Sequence, residues 1–88
     1  MLNIDTELDK LGEGWSVSDN MLTKTFNFKS YLKTMSFVNA VAWLANKVIH
    51  HPDMHVSYGK VVISMTTHDA GNKLTEKDFE LARLISEL

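Results

Sequence analysis

The stretch SFVNAVAWLANKVIHH, residues 36–51, runs directly into the only proline of the chain, Pro52. Its apolar residues recur at helical spacing. Phe37, Val41, Leu44 and Val48 form one row along a helix, and Val38, Ala42, Ala45 and Ile49 form a second row beside it. Proline pushes the residue before it out of the helical region, so the helix is expected to stop there, with His50 on its last turn and His51 where the chain turns extended. A chain of 88 residues has room for one core, so one domain over residues 1–88 is expected. The helix must therefore pack against whatever flanks it.

Both flanks read as hairpins. WSVS and MLTKTFNF lie on either side of Asp19-Asn20, a turn-favouring pair. In the second arm Leu22, Lys24, Phe26 and Phe28 share one face, while Thr23, Thr25 and Asn27 point the other way. After Pro52, MHVSY and VVISMTTH flank Gly59-Lys60, where glycine suits the first central position of a type II′ turn. A short helix is expected over residues 5–11, capped by Asp5 or Thr6, with Leu8 and Leu11 on one side. HDAGNK reads as a loop. A final helix starts at Thr75, whose capping box is completed by Asp78, and carries Phe79, Ala82, Ile85 and Leu88 inward. The expected fold class is α+β: a four-stranded antiparallel sheet with three helices on one face, in the order α-β-β-α-β-β-α. Trp43 lies outside both apolar rows of the long helix. A helix apolar over so much of its surface is either buried all round or meets a second partner, and of the two self-association is expected.

Several classes are disfavoured. A net charge of −2 offers no basic patch for direct nucleic-acid binding. There is no cysteine for disulfides or thiolate ligands. The N-terminal MLNIDTELDKLGEG has no long apolar stretch, so neither a membrane span nor a signal peptide is expected, and the simplest location is the cytoplasm.

Three of the four histidines, His50, His51 and His55, fall within six positions around Pro52. An ordinary histidine titrates near pH ~6.5 and can give or take a proton under cellular conditions. His50 at the helix end is a candidate general acid, or simply a C-terminal cap. Adjacent residues on a continuous helix point about 100° apart, but the proline break frees His51 to swing toward the place where His50 points. His68 ends a strand beside a loop, a common address for functional side chains. His55, inside a strand, reads as a surface or edge residue. With no HExxH, no HxH pair and no cysteine, a metal site is not expected. Asp78 is accounted for by the capping box. Thr67 and Asp69, flanking His68, would offer donors and acceptors to a heterocycle with an amide-like edge.

The pattern His50-His51-Pro52-Asp53, Tyr58 six positions after Pro52, His68 ten positions later and Asp78 ten further on resembles pterin-4a-carbinolamine dehydratases. The upstream GEGW and the pair Phe26 and Phe28 are also similar to that family, and the likeness runs from about Leu8 to Leu88. The resemblance implies an α+β subunit assembled as a homodimer or homotetramer, with the 36–50 helix and the sheet edges as the expected contacts. It further implies dehydration of 4a-hydroxytetrahydropterin to quinonoid dihydropterin, in tetrahydropterin recycling, with a small-molecule pterin as substrate and no cofactor. The catalytic residues it implies are His50, His51 and His68. Its substrate-binding segments map onto His50, His51 and Pro52, and onto Thr67, His68, Asp69 and Ala70. His50 and His68 would form the acid–base pair, and His51 would mainly position substrate. Family members commonly carry a charged residue four positions before the first histidine. Here that residue is Asn46, which can hydrogen-bond an imidazole but cannot stabilise its cation by charge. Two alternatives stand beside the enzyme: a non-catalytic protein-binding or dimerisation module, and a family branch linked to molybdopterin metabolism.

Overall fold

In the computed structural model, which describes residues 2–88, the elements are α1 (Ile4–Leu11), β1 (Ser16–Ser18), β2 (Met21–Asn27), α2 (Tyr31–Val48), β3 (Asp53–Ser57), β4 (Lys60–Met65) and α3 (Glu76–Ser86). A single 3₁₀ turn, His68–Ala70, lies between β4 and α3. The order and the sheet agree with the sequence reading. All strands are antiparallel, and they lie side by side as β1-β2-β4-β3, so each hairpin contributes one central and one edge strand.

The registers explain which side chains form the core. Leu22 pairs with Met65, and Phe26 with Val61, on one face, where Ile63 also points. The helices pack on that face: Val41 and Ala45 from α2 and Phe79, Leu81, Ala82 and Ile85 from α3 join the same buried cluster. From α1, Leu8 and Leu11 lean against the cluster without being fully enclosed. The opposite face is polar, with Thr23 Oγ1 3.1 Å from Ser64 Oγ across the β2–β4 pair. Alternation along β2 and β4 thus sends hydroxyls outward and hydrocarbon inward. Trp15 ties the first hairpin to α3, its Nε1–H donating to Ser86 Oγ at 2.8 Å.

Several local expectations change. Leu88, expected to point inward, lies beyond the end of α3 and is exposed, and β4 stops at Met65, so His68 does not end the strand. The first helix begins at Ile4, because Asn3 rather than Asp5 or Thr6 supplies the cap, its Oδ1 accepting the Thr6 N–H at 3.1 Å. The long helix begins five residues earlier than residue 36, at Tyr31, capped by Ser30. Thr34 in its first turn is fully buried, its hydroxyl 2.8 Å from both Ser30 O and Tyr58 O, so the helix start is pinned to the second hairpin. The second hairpin turns at Tyr58-Gly59, since Ser57 pairs with Lys60, and Gly59 is not in the positive-φ region of a type II′ turn. Glycine is needed there for closeness: a Cβ at Gly59 would sit 2.7 Å from Phe28 O. Finally, α2 stops at Val48, before the proline can act. Ile49 takes the left-handed conformation (φ 55°, ψ 49°), and the His50 N–H closes the end by donating to Ala45 O at 3.1 Å. That is a Schellman closure, with isoleucine where glycine is usual.

Candidate active site

The left-handed turn at Ile49 takes His50 off the helix and into the interior, where it is only 8 % exposed. Its Nε2 lies 2.6 Å from Oδ1 of Asp78, in the first turn of α3. Asp78 is completely enclosed. Its other oxygen, Oδ2, accepts the Thr75 N–H at 2.9 Å and the Thr67 hydroxyl at 2.8 Å. The Thr67 proton is therefore committed to Asp78, so in the 2.6 Å contact between the two threonine hydroxyls Thr75 is the donor. Thr75 Oγ1 in turn accepts the Lys77 N–H at 3.3 Å. Each hydroxyl in the chain thus donates once and accepts once.

This arrangement sets the orientation of the His50 ring. A carboxylate accepts and does not donate, so Nε2 carries the proton and Nδ1 is the free nitrogen. Among the described residues Thr66 Oγ1 is the one fully enclosed side-chain polar atom without a partner. Nδ1 of His50 has no hydrogen-bond partner among the described residues, and it is not fully enclosed. An imidazole held by a buried acceptor at one nitrogen and open at the other can take or deliver a proton at a defined point.

Of the other expected site residues, one is part of this network and the rest flank it. Thr67 belongs to it directly, through Asp78. His51 is exposed and has no hydrogen-bond partner among the described residues, while Pro52, just before β3, is half-buried. His68 is exposed at the start of the 3₁₀ turn, its Nδ1 2.8 Å from Asn72 Oδ1. Asp69 and Ala70, next in that turn, are exposed, and the Ala70 N–H donates to Thr67 O at 3.1 Å. His68 and Asn72 border a surface depression of about 350 Å³ that also takes in Asp53, Thr66 and the Asp19-Asn20 turn. His55 lies farther along the sheet, beside Val62 and Ser64. Among the described residues, no group of three His, Asp or Glu side chains is placed to hold a metal ion.

Two residues of this region carry more than the sequence reading gave them. Asp78 caps α3 as expected, yet the same carboxylate also holds His50, and only its spacing in the histidine pattern hinted at that. From the sequence Asn72 is simply part of the HDAGNK loop. Its position four residues beyond His68, directly after a glycine, was the available signal. Asn46, which stands one helical turn before His50, is exposed and makes no bond to it. The acidic group beside His50 comes from α3 instead of from one turn back on α2.

A family profile described as pterin 4 alpha carbinolamine dehydratase matches residues 2–88. A protein of Nitrosomonas eutropha, named as a pterin-4-alpha-carbinolamine dehydratase with the activity marked provisional, is 46% identical over 81 residues, covering 92% of this chain and 71% of the relative. The crystal structure of a transcriptional coactivator/pterin dehydratase from Brucella melitensis superposes with a TM-score of 0.88 at 30% identity, covering 96% of this chain and 89% of that one. A pterin dehydratase-like protein identified as a RuBisCO assembly factor in the alpha-carboxysome has the same fold, with a TM-score of 0.72 at 24% identity over 88% of this chain and 90% of that one.

Proposed function

The chain belongs to the pterin-4a-carbinolamine dehydratase family, and from that membership we propose that it removes water from 4a-hydroxytetrahydropterin to give the quinonoid dihydropterin. The reaction breaks the C4a–O bond and the N5–H bond. The electron pair of N5–H becomes the new C4a=N5 bond, the departing hydroxide takes a proton from an acid, and the N5 proton goes to a base. Nothing is oxidised or reduced, so the balance needs no redox cofactor. Histidines suit both proton transfers, each typically worth ~10²–10⁴-fold.

The observation that carries this reading is the His50–Asp78 contact, which gives one ring a fixed tautomer and an open nitrogen. In this proposal His50 and His68 are the acid–base pair and His51 positions the substrate. Pro52 and the segment Thr67, His68, Asp69 and Ala70 bound the site. The test is the dehydration rate of chemically generated 4a-hydroxytetrahydropterin. Wild type is expected to exceed the buffer rate, and His50→Ala with His68→Ala together to abolish the excess. Equal rates for wild type, double variant and buffer would end the enzymatic reading.

A second reading, a protein-binding or dimerisation module, draws support from the outward side of α2. Trp43 is 64% exposed and Leu32 76% exposed there, as expected of a helix whose apolar surface exceeds what its own sheet covers. We infer that this face joins copies of the chain, which is compatible with either function. The molybdopterin-linked branch, suggested by the family resemblance and by the missing charge at Asn46, stands as a further alternative.

A further inference from the structure

We propose that Asn72 is a positioning residue for His68, its side-chain carbonyl holding the proton on Nδ1 and leaving Nε2 as the nitrogen that exchanges protons. The inference rests on the reading of His68 as an acid–base group and adds what orients that ring.

The loop closes on itself by backbone bonds alone. The Thr67 N–H donates to Lys73 O at 3.1 Å, the Ala70 N–H to Thr67 O at 3.1 Å and the Gly71 N–H to His68 O at 3.0 Å. Two successive left-handed residues, Gly71 (φ 76°) and Asn72 (φ 60°), curl the chain back and bring Asn72 beside the His68 ring. Asparagine tolerates that conformation, and glycine would as well, so the backbone does not require this side chain. What the side chain adds is the 2.8 Å contact to Nδ1. A free histidine side chain that is neutral favours the proton on Nε2. A carbonyl acceptor at Nδ1 reverses that preference, because only an N–H can satisfy it. Both residues border the depression that holds Thr66, whose enclosed hydroxyl lacks a protein partner. A ring poised there with a defined free nitrogen is suited to a polar ligand.

The experiment is ¹⁵N NMR of the His68 ring in the substrate-free protein, paired with steady-state kinetics. Wild type is expected to show the neutral ring protonated on Nδ1. Asn72→Gly, which keeps the left-handed turn, is expected to return the proton to Nε2, and Asn72→Asp, which can only accept, to retain the wild-type tautomer. In the dehydratase assay Asn72→Gly should lower kcat about tenfold, a part of the ~10²–10⁴-fold of one acid–base group, with KM little changed, and Asn72→Asp should restore it. A wild-type ring protonated on Nε2, or a tautomer unmoved by Asn72→Gly, overturns the inference. So does an Asn72→Gly variant as fast as an active wild type. If wild type has no dehydratase activity, the proposed reaction falls, while the spectra still decide the role of Asn72.

Discussion

Asp78 accepts from three groups brought together by three different segments: the His50 ring, the Thr67 hydroxyl and the Thr75 N–H. Removing it strips all three of their acceptor, two of them enclosed and the Thr75 N–H partly so, and an enclosed donor left unpaired costs about 1–3 kcal/mol. Asp78→Ala is therefore expected to lose about 3 kcal/mol or more, a large share of the roughly 5–15 kcal/mol typical of a domain. Urea unfolding measures this, and a loss below about 1 kcal/mol would show that the network is not formed in solution. Ile49 is the opposite case, a residue its position does not favour. A β-branched side chain in the left-handed region costs about 1–2 kcal/mol, and Ile49 is 78% exposed, so little packing offsets that cost within the subunit. Ile49→Asn is expected to raise stability by about 1 kcal/mol in the isolated subunit. A lower urea midpoint instead would mean that the Ile49 side chain is covered in an assembly.

At the scale of elements, the outcome turns on how each one ends. Pro52 correctly signalled that α2 could not continue, but the helix closes at Ile49, three residues sooner, through the bond from His50 N to Ala45 O. That difference decides the site: on a continuing helix His50 would be part of the last turn, whereas beyond a left-handed residue it turns inward to α3. The second hairpin teaches the same lesson. Glycine at 59 suits a turn by its sequence alone, yet its structural reason is the neighbouring backbone, with Phe28 N–H donating to Gly59 O at 2.7 Å. Gly59→Ala would drive a methyl to within 2.7 Å of Phe28 O, a backbone atom that can move only with its strand. The expected cost is about 1–3 kcal/mol, by analogy with overpacking a close-packed interior. A thermal melt superposable on wild type would show that the hairpin shifts freely there.

For the whole molecule, one face of the sheet is covered by helices and α2 is covered on only part of its circumference. Its exposed Trp43 ring is approached by Lys47 Nζ at 5.3 Å from the centroid, a contact that leaves most of the indole open. If α2 joins copies of the chain, Trp43→Glu should shift light scattering from an oligomer toward monomer at micromolar concentration, since a buried unpaired charge at an interface is strongly unfavourable. A wild type that is already monomeric would remove this reading of the helix. Among the described residues no helix is long and apolar enough to cross a membrane. The element order, the hairpins, the capping box at Thr75 and the core face of β2 and β4 were legible in the chain, because periodicity, turn chemistry and capping act over a few residues. The histidine pattern was legible as a motif. What joins His50 to Asp78, 28 positions away, was not, because it depends on the angle at which α2 ends and on how α3 packs beneath it. The sequence alone thus determined the candidate residues and the order of the elements around them, but not that His50 stands beyond α2 or His68 in a 3₁₀ turn. The tertiary structure decided which of them meet, since a hydrogen bond between distant segments is set by packing geometry and has no local signature.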